Sequence, residues 1–412
     1  MADMRVIRGA LAEDEENTVV SVSRKGKYFD YSLLIILLVL IGLGLIVVYS
    51  SSYSVSVKKG DDAYTFINQV KYTIVGMFAL AAATFIPLKF WRRFSLVILI
   101  LSLISVALVR TSWGLNLNGA YRWFKIAGRG PSIQPAELVK IAIIIYMAVY
   151  ISKYRKQMKG LKANLIYLLI AGFCAGVVLV ITSNLSSALI ILGISYIMLM
   201  ISTEHIGKYS AVSIMIALLV AALLILFFVK FDSIKNSTIS YRLDRLIAWV
   251  EPTYTRNNEQ LGYQVLQSLY AIGSGGFFGK GLGQGSQRVF LPEAQSDMIF
   301  SIICEELGVF GGLCVIILYV LLIWRMVNIA INAPNLYSSL IVVGVIAHIS
   351  LQVVLHIAVV TNLIPNTGIT LPFISAGGSA AIMVLFEMGL VLNVSRLIQT
   401  RTRVPAESVE RV

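Results

Sequence analysis

The chain has 412 residues, of which 58% are hydrophobic and 13% are charged, and its formal net charge is +13. Soluble domains keep about a quarter of their residues charged, so this composition excludes a soluble protein. Apolar runs of about 20 residues recur along the chain and predict membrane-crossing helices, whereas the alternating strands of a transmembrane barrel are not found. Lys and Arg collect at the ends of these runs, which indicates a membrane partner and no nucleic acid.

The fold class predicted is an all-α polytopic membrane protein. Residues 1–30 are polar and are expected to form a disordered cytoplasmic tail. The transmembrane domain is expected over 31–395, followed by a second cytoplasmic tail, 396–412. About ten spans are predicted by apolar length, at roughly 31–50, 69–87, 94–110, 137–152, 163–182, 187–202, 209–229, 298–323, 338–361 and 379–395.

The loops that carry Lys and Arg alternate with loops that carry few, and this alternation places both termini in the cytoplasm. Two segments on the opposite, outer side are too rich to be simple connectors: Trp113–Pro135 and a large loop at about 230–297. In the second, apolar residues at helical spacing predict an amphipathic helix on the bilayer surface. These residues are Leu261, Val265, Leu266, Leu269 and Tyr270.

A glycine-rich stretch, "GSGGFFGKGLGQG", follows from Gly273 to Gly285. It resembles a phosphate-binding loop only in part. Ser274 stands where the first glycine of that motif belongs, and Gly281 stands where Ser or Thr follows the lysine. We therefore expect a flexible loop without a nucleotide.

Ionisable residues in apolar runs are costly and are often functional. Glu137 and Lys140 stand three residues apart, on one helical face. Asp297 lies at the outer mouth of the eighth span, with Glu293 one turn earlier. Lys140 is expected to pair either with Asp297 or, within its own helix, with Glu137. For three deeper carboxylates buried structural pairing is expected: Glu305, Glu306 and Glu387.

The stretch "NLIPNTGITLPFISAGGSA", Asn362–Ala380, cannot be a continuous helix because of Pro365, Gly368 and Pro372. Broken backbone at membrane depth needs protein or a water-filled cavity around it. His348 and His356 lie on one face of the preceding span and are expected to serve packing and helix–helix hydrogen bonds. Small residues would let the broken backbone approach a ligand closely: Ser375, Gly377, Gly378 and Ser379.

Segments 118–140, 242–297 and 362–379 thus bring polar groups to the same membrane level. Their cations suit an anionic head such as a phosphate or diphosphate. These cations are Arg122, Lys140, Arg242 and Arg245. The residues alone predict a membrane protein that acts on, or moves, an amphiphilic anion, and leave enzyme and transporter open.

The same segments resemble the SEDS family of cell-wall polymerases, which includes FtsW, RodA and SpoVE, and are closer to FtsW than to RodA. The resemblance is carried by "NGAYRW", "QPAELVK", "RLDRLIAWVEP", "GYQVLQSLYAIGSGGFFGKGLG", "LPEAQSDMIFSIICEELG" and "IPNTGITLPFISAGGS". One departure is clear. Many relatives have a Glu-Pro-Asp/Asn motif where this chain has Thr182, Ser183 and Asn184, so the family's role for that acid is in doubt here.

The resemblance implies a peptidoglycan glycosyltransferase that joins lipid II units, carried on a polyprenyl diphosphate, at the outer face of the bacterial cytoplasmic membrane. It implies catalytic roles for Asp297 as base and for Lys140 and Glu137. A divalent cation, Mg²⁺ or Mn²⁺, is the cofactor that would assist the diphosphate. The residues expected to bind substrate are Arg122, Arg242, Arg245, Glu293, Ser375, Gly377, Gly378 and Ser379.

Two other classes of function stay open: a lipid II flippase and a non-catalytic scaffold of a division complex. The resemblance also implies a class B penicillin-binding protein transpeptidase as partner, with other proteins of the division or elongation complex. Small residues permit close helix packing in a bilayer, so we expect this partner at the eighth and ninth spans. The alternative is that these residues serve packing within the bundle. They are Gly308, Gly311, Gly312, Gly344 and Ala347.

Overall fold

The structure, a computed structural model, describes residues 19–27, 29–52, 63–117, 120–125, 132–203, 241–253 and 259–405. The helices, in chain order, are α1 (Tyr31–Ser51), α2 (Tyr64–Phe85), α3 (Leu88–Leu108), α4 (Pro135–Tyr154), α5 (Leu161–Thr182), α6 (Leu185–Ser202), α7 (Tyr241–Val250), α8 (Glu259–Ser274), α9 (Gln287–Phe290), α10 (Ile299–Ile331), α11 (Leu336–Val360) and α12 (Ser379–Ser395). The strands are β1 (Val19–Lys27), β2 (Gly114–Leu117), β3 (Ala120–Phe124) and β4 (Gln399–Pro405).

The all-α membrane fold is confirmed. In the described part of the chain, eight helices are long and apolar enough to cross a membrane, and α12 is a shorter apolar helix. They account for nine of the expected spans, while the span expected at 209–229 lies outside the described residues. The short connection between the spans expected at 163–182 and 187–202 is present as a turn at Ser183 and Asn184, between α5 and α6.

Helix α4 is the central helix of the bundle. In its most apolar window 78% of residues are buried, compared with 22% in α2 and in α3, which lie at the edge. Pro135 occupies the first turn, where a missing backbone N–H costs nothing. Because α4 packs against α3, α6 and α11, it carries apolar residues all round, and its two charged residues in this part must find partners inside the protein.

The contacts between helix α1 and helix α10 indicate which part of α10 crosses the bilayer. At one end of α1 the Asp30 carboxylate pairs with Arg325 at 2.7 Å, and at the other the Ser50 hydroxyl donates to Glu306. Glu306 and Arg325 lie about 28 Å apart along a helix, which matches the roughly 30 Å of hydrocarbon. Glu305 and Glu306 therefore lie at the edge of the span. We call this edge, which Asp297 shares, the site face.

The strands β1 and β4 lie at the opposite face, next to the Asp30 end of α1. They pair as an antiparallel ribbon, with Val19 opposite Pro405 and Lys27 opposite Gln399. The expectation of a wholly disordered tail before residue 31 is therefore wrong for residues 19–27. A second ribbon, β2–β3, lies in the first rich segment, where Leu115 faces Trp123. These two ribbons are additions to the predicted helices.

Two of the small residues expected to receive a partner protein pack inside the bundle instead. A Cβ on Gly344 would stand 2.6 Å from Ile144 of α4, and Ala347 is buried. Gly308, Gly311 and Gly312 are also buried, but the nearest atoms to a Cβ on Gly311 or Gly312 belong to α10 itself. The alternative, packing within the bundle, is thus what the structure has at Gly344 and Ala347.

Candidate active site

Asp297 lies in a turn two residues before α10, beyond the end of the span. Its side chain is partly exposed. Burial raises the pKa of the Asp297 carboxyl to about 7, and nearby Glu293 adds to the rise. Glu293 has a positive φ of 55°, and its carboxylate accepts a bond of 2.7 Å from the Ser296 hydroxyl. Glu293 and Asp297 thus lie in the same turn. Glu293 was expected one helical turn before Asp297, but this segment is not helical.

Two predicted cations lie beside this carboxylate. Arg245 of α7 and Arg122 of β3 both lower the pKa of Asp297 and oppose its rise. Arg245 also donates to the Asn366 carbonyl at 3.1 Å, which ties α7 to the broken segment. Arg242 lies one turn before Arg245 in α7, on the same helical face, and its side chain is outside the described set.

The broken segment 361–378 supplies the opposite wall. Gly368 has φ 67°, and a Cβ there would stand 3.2 Å from the Asp297 Oδ2 atom. Asn366 accepts from the Gly368 amide at 3.0 Å and donates to Gln264 of α8 at 2.9 Å. The three rich segments therefore do meet at one place, through Arg122, Arg245 and Gly368.

Ser375 joins this wall to the turn of Asp297. Its hydroxyl accepts from the Leu371 amide at 2.8 Å and donates to the Ser296 carbonyl at 2.7 Å. The Ala376 amide adds a bond of 2.8 Å to the Gln295 carbonyl. Ser375 was expected to bind substrate, but its hydroxyl is already engaged in holding the two chain segments together.

The remaining predicted residues form a second group. Lys140 and Glu137 pair with each other at 2.8 Å, both buried in α4. The predicted pair of Lys140 with Asp297 is not formed, and the alternative within one helix is correct. Ser379 accepts from the Gln134 amide at 3.1 Å, just before α4. Gly378 lies beside Tyr72 of α2 and Gly377 beside Ala380.

The deeper carboxylates all have partners, as expected. Glu305 pairs with Lys280 at 2.7 Å, and Glu387 pairs with His348 at 2.8 Å. His348 was expected to serve packing and helix–helix hydrogen bonds, and its bond to Glu387 joins α11 to α12 in this way. His356 donates from Nδ1 to the Ile369 carbonyl at 2.7 Å, a hydrogen bond to the broken segment.

The chain departs from many relatives between α5 and α6, and here the structure assigns a turn. Ser183 has φ 53° and ends α5, while Asn184 caps α6 by accepting from the Ser187 amide at 3.1 Å. Ser186 then donates to the Thr367 carbonyl at 2.7 Å. This turn therefore supports the wall of the site with neutral groups.

Two residues of the site were missed by sequence reasoning. Asn366 and Gly368 were read only as part of a broken stretch, although Asn-x-Gly is a common turn signal in which the Asn side chain bonds the backbone two residues on. In the described ranges, no group of three or more His, Cys, Asp or Glu side chains is placed to hold a metal ion.

Comparisons with known proteins agree with this architecture. The model of the FtsW/RodA/SpoVE family, described as "Cell cycle protein", matches residues 31–400. Stage V sporulation protein E of Bacillus subtilis is 35% identical over 372 residues, which cover 89% of this chain and 97% of that protein. A probable peptidoglycan glycosyltransferase FtsW of Trichlorobacter lovleyi is 33% identical over 371 residues, or 89% and 93% of the two chains.

Solved structures share the fold. A chain of the structure "Structural coordination of polymerization and crosslinking by a peptidoglycan synthase complex" superposes with a TM-score of 0.70 at 23% identity, covering 89% of this chain and 98% of that one. The rod shape determining protein RodA of Thermus thermophilus gives 0.60 at 23% identity, covering 89% and 97%. The chain is therefore a member of the FtsW/RodA/SpoVE family of multi-pass membrane proteins.

Proposed function

We propose that this protein is a peptidoglycan glycosyltransferase that joins lipid II units into glycan strands. One observation carries the proposal: a partly exposed carboxylate, Asp297, lies at the edge of the membrane within electrostatic reach of Arg122 and Arg245, with a pKa raised to about 7. This is a base at the depth of a lipid headgroup, beside cations that suit a diphosphate. Relatives 31–34% identical carry the name of this activity.

The chemistry follows from that placement. The acceptor sugar hydroxyl gives its proton to Asp297 while its oxygen bonds to the anomeric carbon of the donor sugar. The bond from that carbon to the diphosphate oxygen breaks, and its electron pair leaves with the diphosphate. A general base works best when its pKa is close to the operating pH, as it is here. A stable diphosphate needs no strong general acid, so a single carboxylate suffices.

The leaving group needs positive charge. Arg245 and Arg122, which interact electrostatically with Asp297, supply it. A divalent cation, Mg²⁺ or Mn²⁺, would neutralise the diphosphate further. Mg²⁺ is often held by one or two carboxylates with substrate phosphates and water, and Glu293 is the carboxylate in this turn that fits that role.

The orientation and partners belong to the same proposal. Lys and Arg lie mostly in the loops on the side of β1 and β4, which supports an orientation with both termini in the cytoplasm and Asp297 outside. A class B penicillin-binding protein with a single membrane anchor would cross-link the strands. The peptidoglycan synthase complex named above supports a partner of this kind. The exposed residues of α10 offer the anchor a packing face: Val309, Phe310, Leu313 and Ile317.

The test is purified protein with fluorescent lipid II, with and without the partner, EDTA and added Mg²⁺ or Mn²⁺, resolved by gel for polymer. We expect polymer from the wild type and at least about a 100-fold loss with Asp297→Asn. Asp30→Asn, at the opposite face, is the control for expression and insertion. Polymer at the wild-type rate from Asp297→Asn refutes the assignment. Transport of lipid II across vesicles without polymer would favour a flippase.

A further inference from the structure

Helix α10 is broken at Gly308, which has φ 71° and ψ −172°. In a regular helix the amides of Val309 and Phe310 would donate to the carbonyls of Glu305 and Glu306, four residues earlier. At the break these two bonds are not made. Four backbone groups at the edge of the bilayer would then lack partners, and each such group is costly.

The glycine-rich loop makes all four bonds instead. The amides of Val309 and Phe310 donate to the carbonyls of Gly276 and Phe277, at 3.0 and 3.2 Å. In return, the amides of Lys280 and Gly281 donate to the carbonyls of Glu305 and Glu306, at 3.0 and 2.9 Å. The loop is thus inserted into the helix break, and the expectation of a flexible loop is wrong.

The side chain of Glu305 fixes the far end of this loop. It is fully buried and pairs with Lys280 at 2.7 Å. It also accepts from the backbone amides of Ser286 and Gln287, at 3.0 and 3.2 Å, where the short helix α9 begins. Lys280 in turn donates to the Ser274 hydroxyl at 2.8 Å, at the end of α8.

These contacts close a loop of the chain, from Ser286 to Glu305, that contains Asp297, the proposed base. From Ser286 the chain runs through α9 and the Asp297 turn into α10, and it returns to Ser286 through the Glu305 carboxylate. Gln264 of α8 holds the middle of this loop of the chain by donating to the Pro292 carbonyl at 3.2 Å. Glu305 thus fixes one end of the segment that holds Asp297 near Arg122 and Arg245.

We propose that Glu305, through its pair with Lys280, is a positioning residue for Asp297. The proposal rests on the proposed function, because it takes Asp297 as the base. A misplacement of about 1 Å in a reacting group costs up to about 100-fold in rate. The Glu305 carboxylate, within the long apolar helix, therefore holds the turn that carries the chemistry.

The first experiment compares kinetics on lipid II for Glu305→Gln, Lys280→Met and the double variant. We expect each to lower kcat about 10- to 100-fold with KM changed less than about threefold. The double variant should be no worse than either single one, because the two residues act as a pair. Lys280→Arg should keep kcat within about threefold, since it restores the charge.

Glu387→Gln is the matched control. Glu387 is equally buried and pairs with His348 at 2.8 Å, but on α11 and α12. It should lower the unfolding temperature and leave kcat per folded molecule unchanged. The positioning role is overturned if Glu305→Gln keeps the wild-type kcat, or if its loss of activity only follows its loss of folded protein, as in the control.

A second experiment needs no lipid II, so its outcome is separate from that of the proposed function. The native cysteines Cys174, Cys304 and Cys314 are replaced, and a nitroxide is attached to Asp297→Cys. Glu305→Gln should make this label more mobile, whereas Glu387→Gln should not. Equal mobility in both backgrounds refutes positioning even if polymerisation is confirmed. A mobile label with no polymerase activity refutes only the function.

Discussion

The chain interrupts its helices at the site face in two ways, at Gly308 in α10 and along 361–378 between α11 and α12. At Gly308 the lost backbone bonds are replaced one for one by another stretch of backbone, and the pair of buried Glu305 with partly exposed Lys280 fixes the result. Along 361–378 side chains supply part of the bonds, including the hydroxyl of Ser375 and the imidazole of His356.

The first interruption is therefore a structural support, whereas the second borders the proposed active site. Glu305 is completely buried, and its charge is compensated by Lys280 and two amides. Asp297, facing the second interruption, is partly exposed and has a raised pKa. A break completed by backbone alone leaves little room for a ligand, whereas one held partly by side chains lets Gly368 stand next to the Asp297 carboxylate and keep that side of it open.

The largest effect is expected at the first interruption. In Gly308→Ala the new Cβ would overlap the Phe277 carbonyl, and the φ of 71° is unfavourable for any residue with a Cβ. We expect most of the protein to be lost before purification. Yield of monodisperse protein by size-exclusion chromatography measures this. A stable, fully active Gly308→Ala protein would show that the break tolerates change and that the support is not rigid.

Gly368→Ala should separate activity from stability. Its Cβ would stand 3.2 Å from Asp297 Oδ2, so the methyl group displaces the carboxylate, while the positive φ costs only about 1–2 kcal/mol. We expect kcat to fall about 100-fold, with a small decrease in unfolding temperature. Normal kcat in this variant would mean that the second interruption does not shape the site.

The pH profile reports the same carboxylate. A base with a pKa of about 7 is active when deprotonated, so kcat/KM should fall about tenfold per unit as pH decreases below 7. Glu293→Gln removes a cause of the raised pKa and should move the midpoint to lower pH. Rates measured from pH 5 to 9 give this midpoint. An unchanged midpoint in Glu293→Gln would show that Glu293 does not raise the pKa of Asp297.

The same pKa predicts a change in stability. The folded state keeps the proton on Asp297 between about pH 4 and 7, where the unfolded state has released it. This contribution to folding is therefore present at low pH and is lost as pH rises through 7. Asp297→Asn should remove that part of the decline in unfolding temperature, and wild-type behaviour in the variant would argue against a raised pKa.

Ser375→Ala should have a moderate effect. It leaves the Leu371 amide and the Ser296 carbonyl without their hydroxyl partner, at a cost of about 1–3 kcal/mol. We expect a lower unfolding temperature and a several-fold lower kcat. Ser105→Ala is the control, because the Ser105 hydroxyl only bonds the Ser102 carbonyl of its own helix. Identical results for both serines would show that the Ser375 hydroxyl does not hold the broken segment against the Asp297 turn.

The smallest effect is expected for Gly42→Ala in α1. No atom lies within 4 Å of the new Cβ, and alanine is favoured over glycine in a helix by up to about 1 kcal/mol. Unfolding temperature should stay constant or rise slightly, with unchanged polymerisation. A loss of activity here would mean that glycine changes harm this protein generally, which would weaken the conclusions from Gly308 and Gly368.

Spans were predictable from sequence because apolar length alone determines them, and the Glu137–Lys140 pair because its spacing fits one helical face. The meeting of three polar segments was also predictable, since each lies at the same membrane level. The break at Gly308 was not, because "CEELGVFGG" has three glycines inside an apolar run and does not indicate at which of them, if any, the helix breaks. The Lys280–Glu305 pair was hidden because its partners come from a loop and a helix whose contact only the fold creates.

The pairing of α1 with α10 has a consequence for biogenesis. Asp30 and Arg325 are 295 residues apart, and a ribosome that adds about 5–20 residues per second needs roughly 15–60 seconds between them. During that interval the first helix lacks the ion pair that joins it to α10. A nascent chain that stalls before Arg325 therefore cannot complete the packing of α1 against α10, so this contact forms late in synthesis.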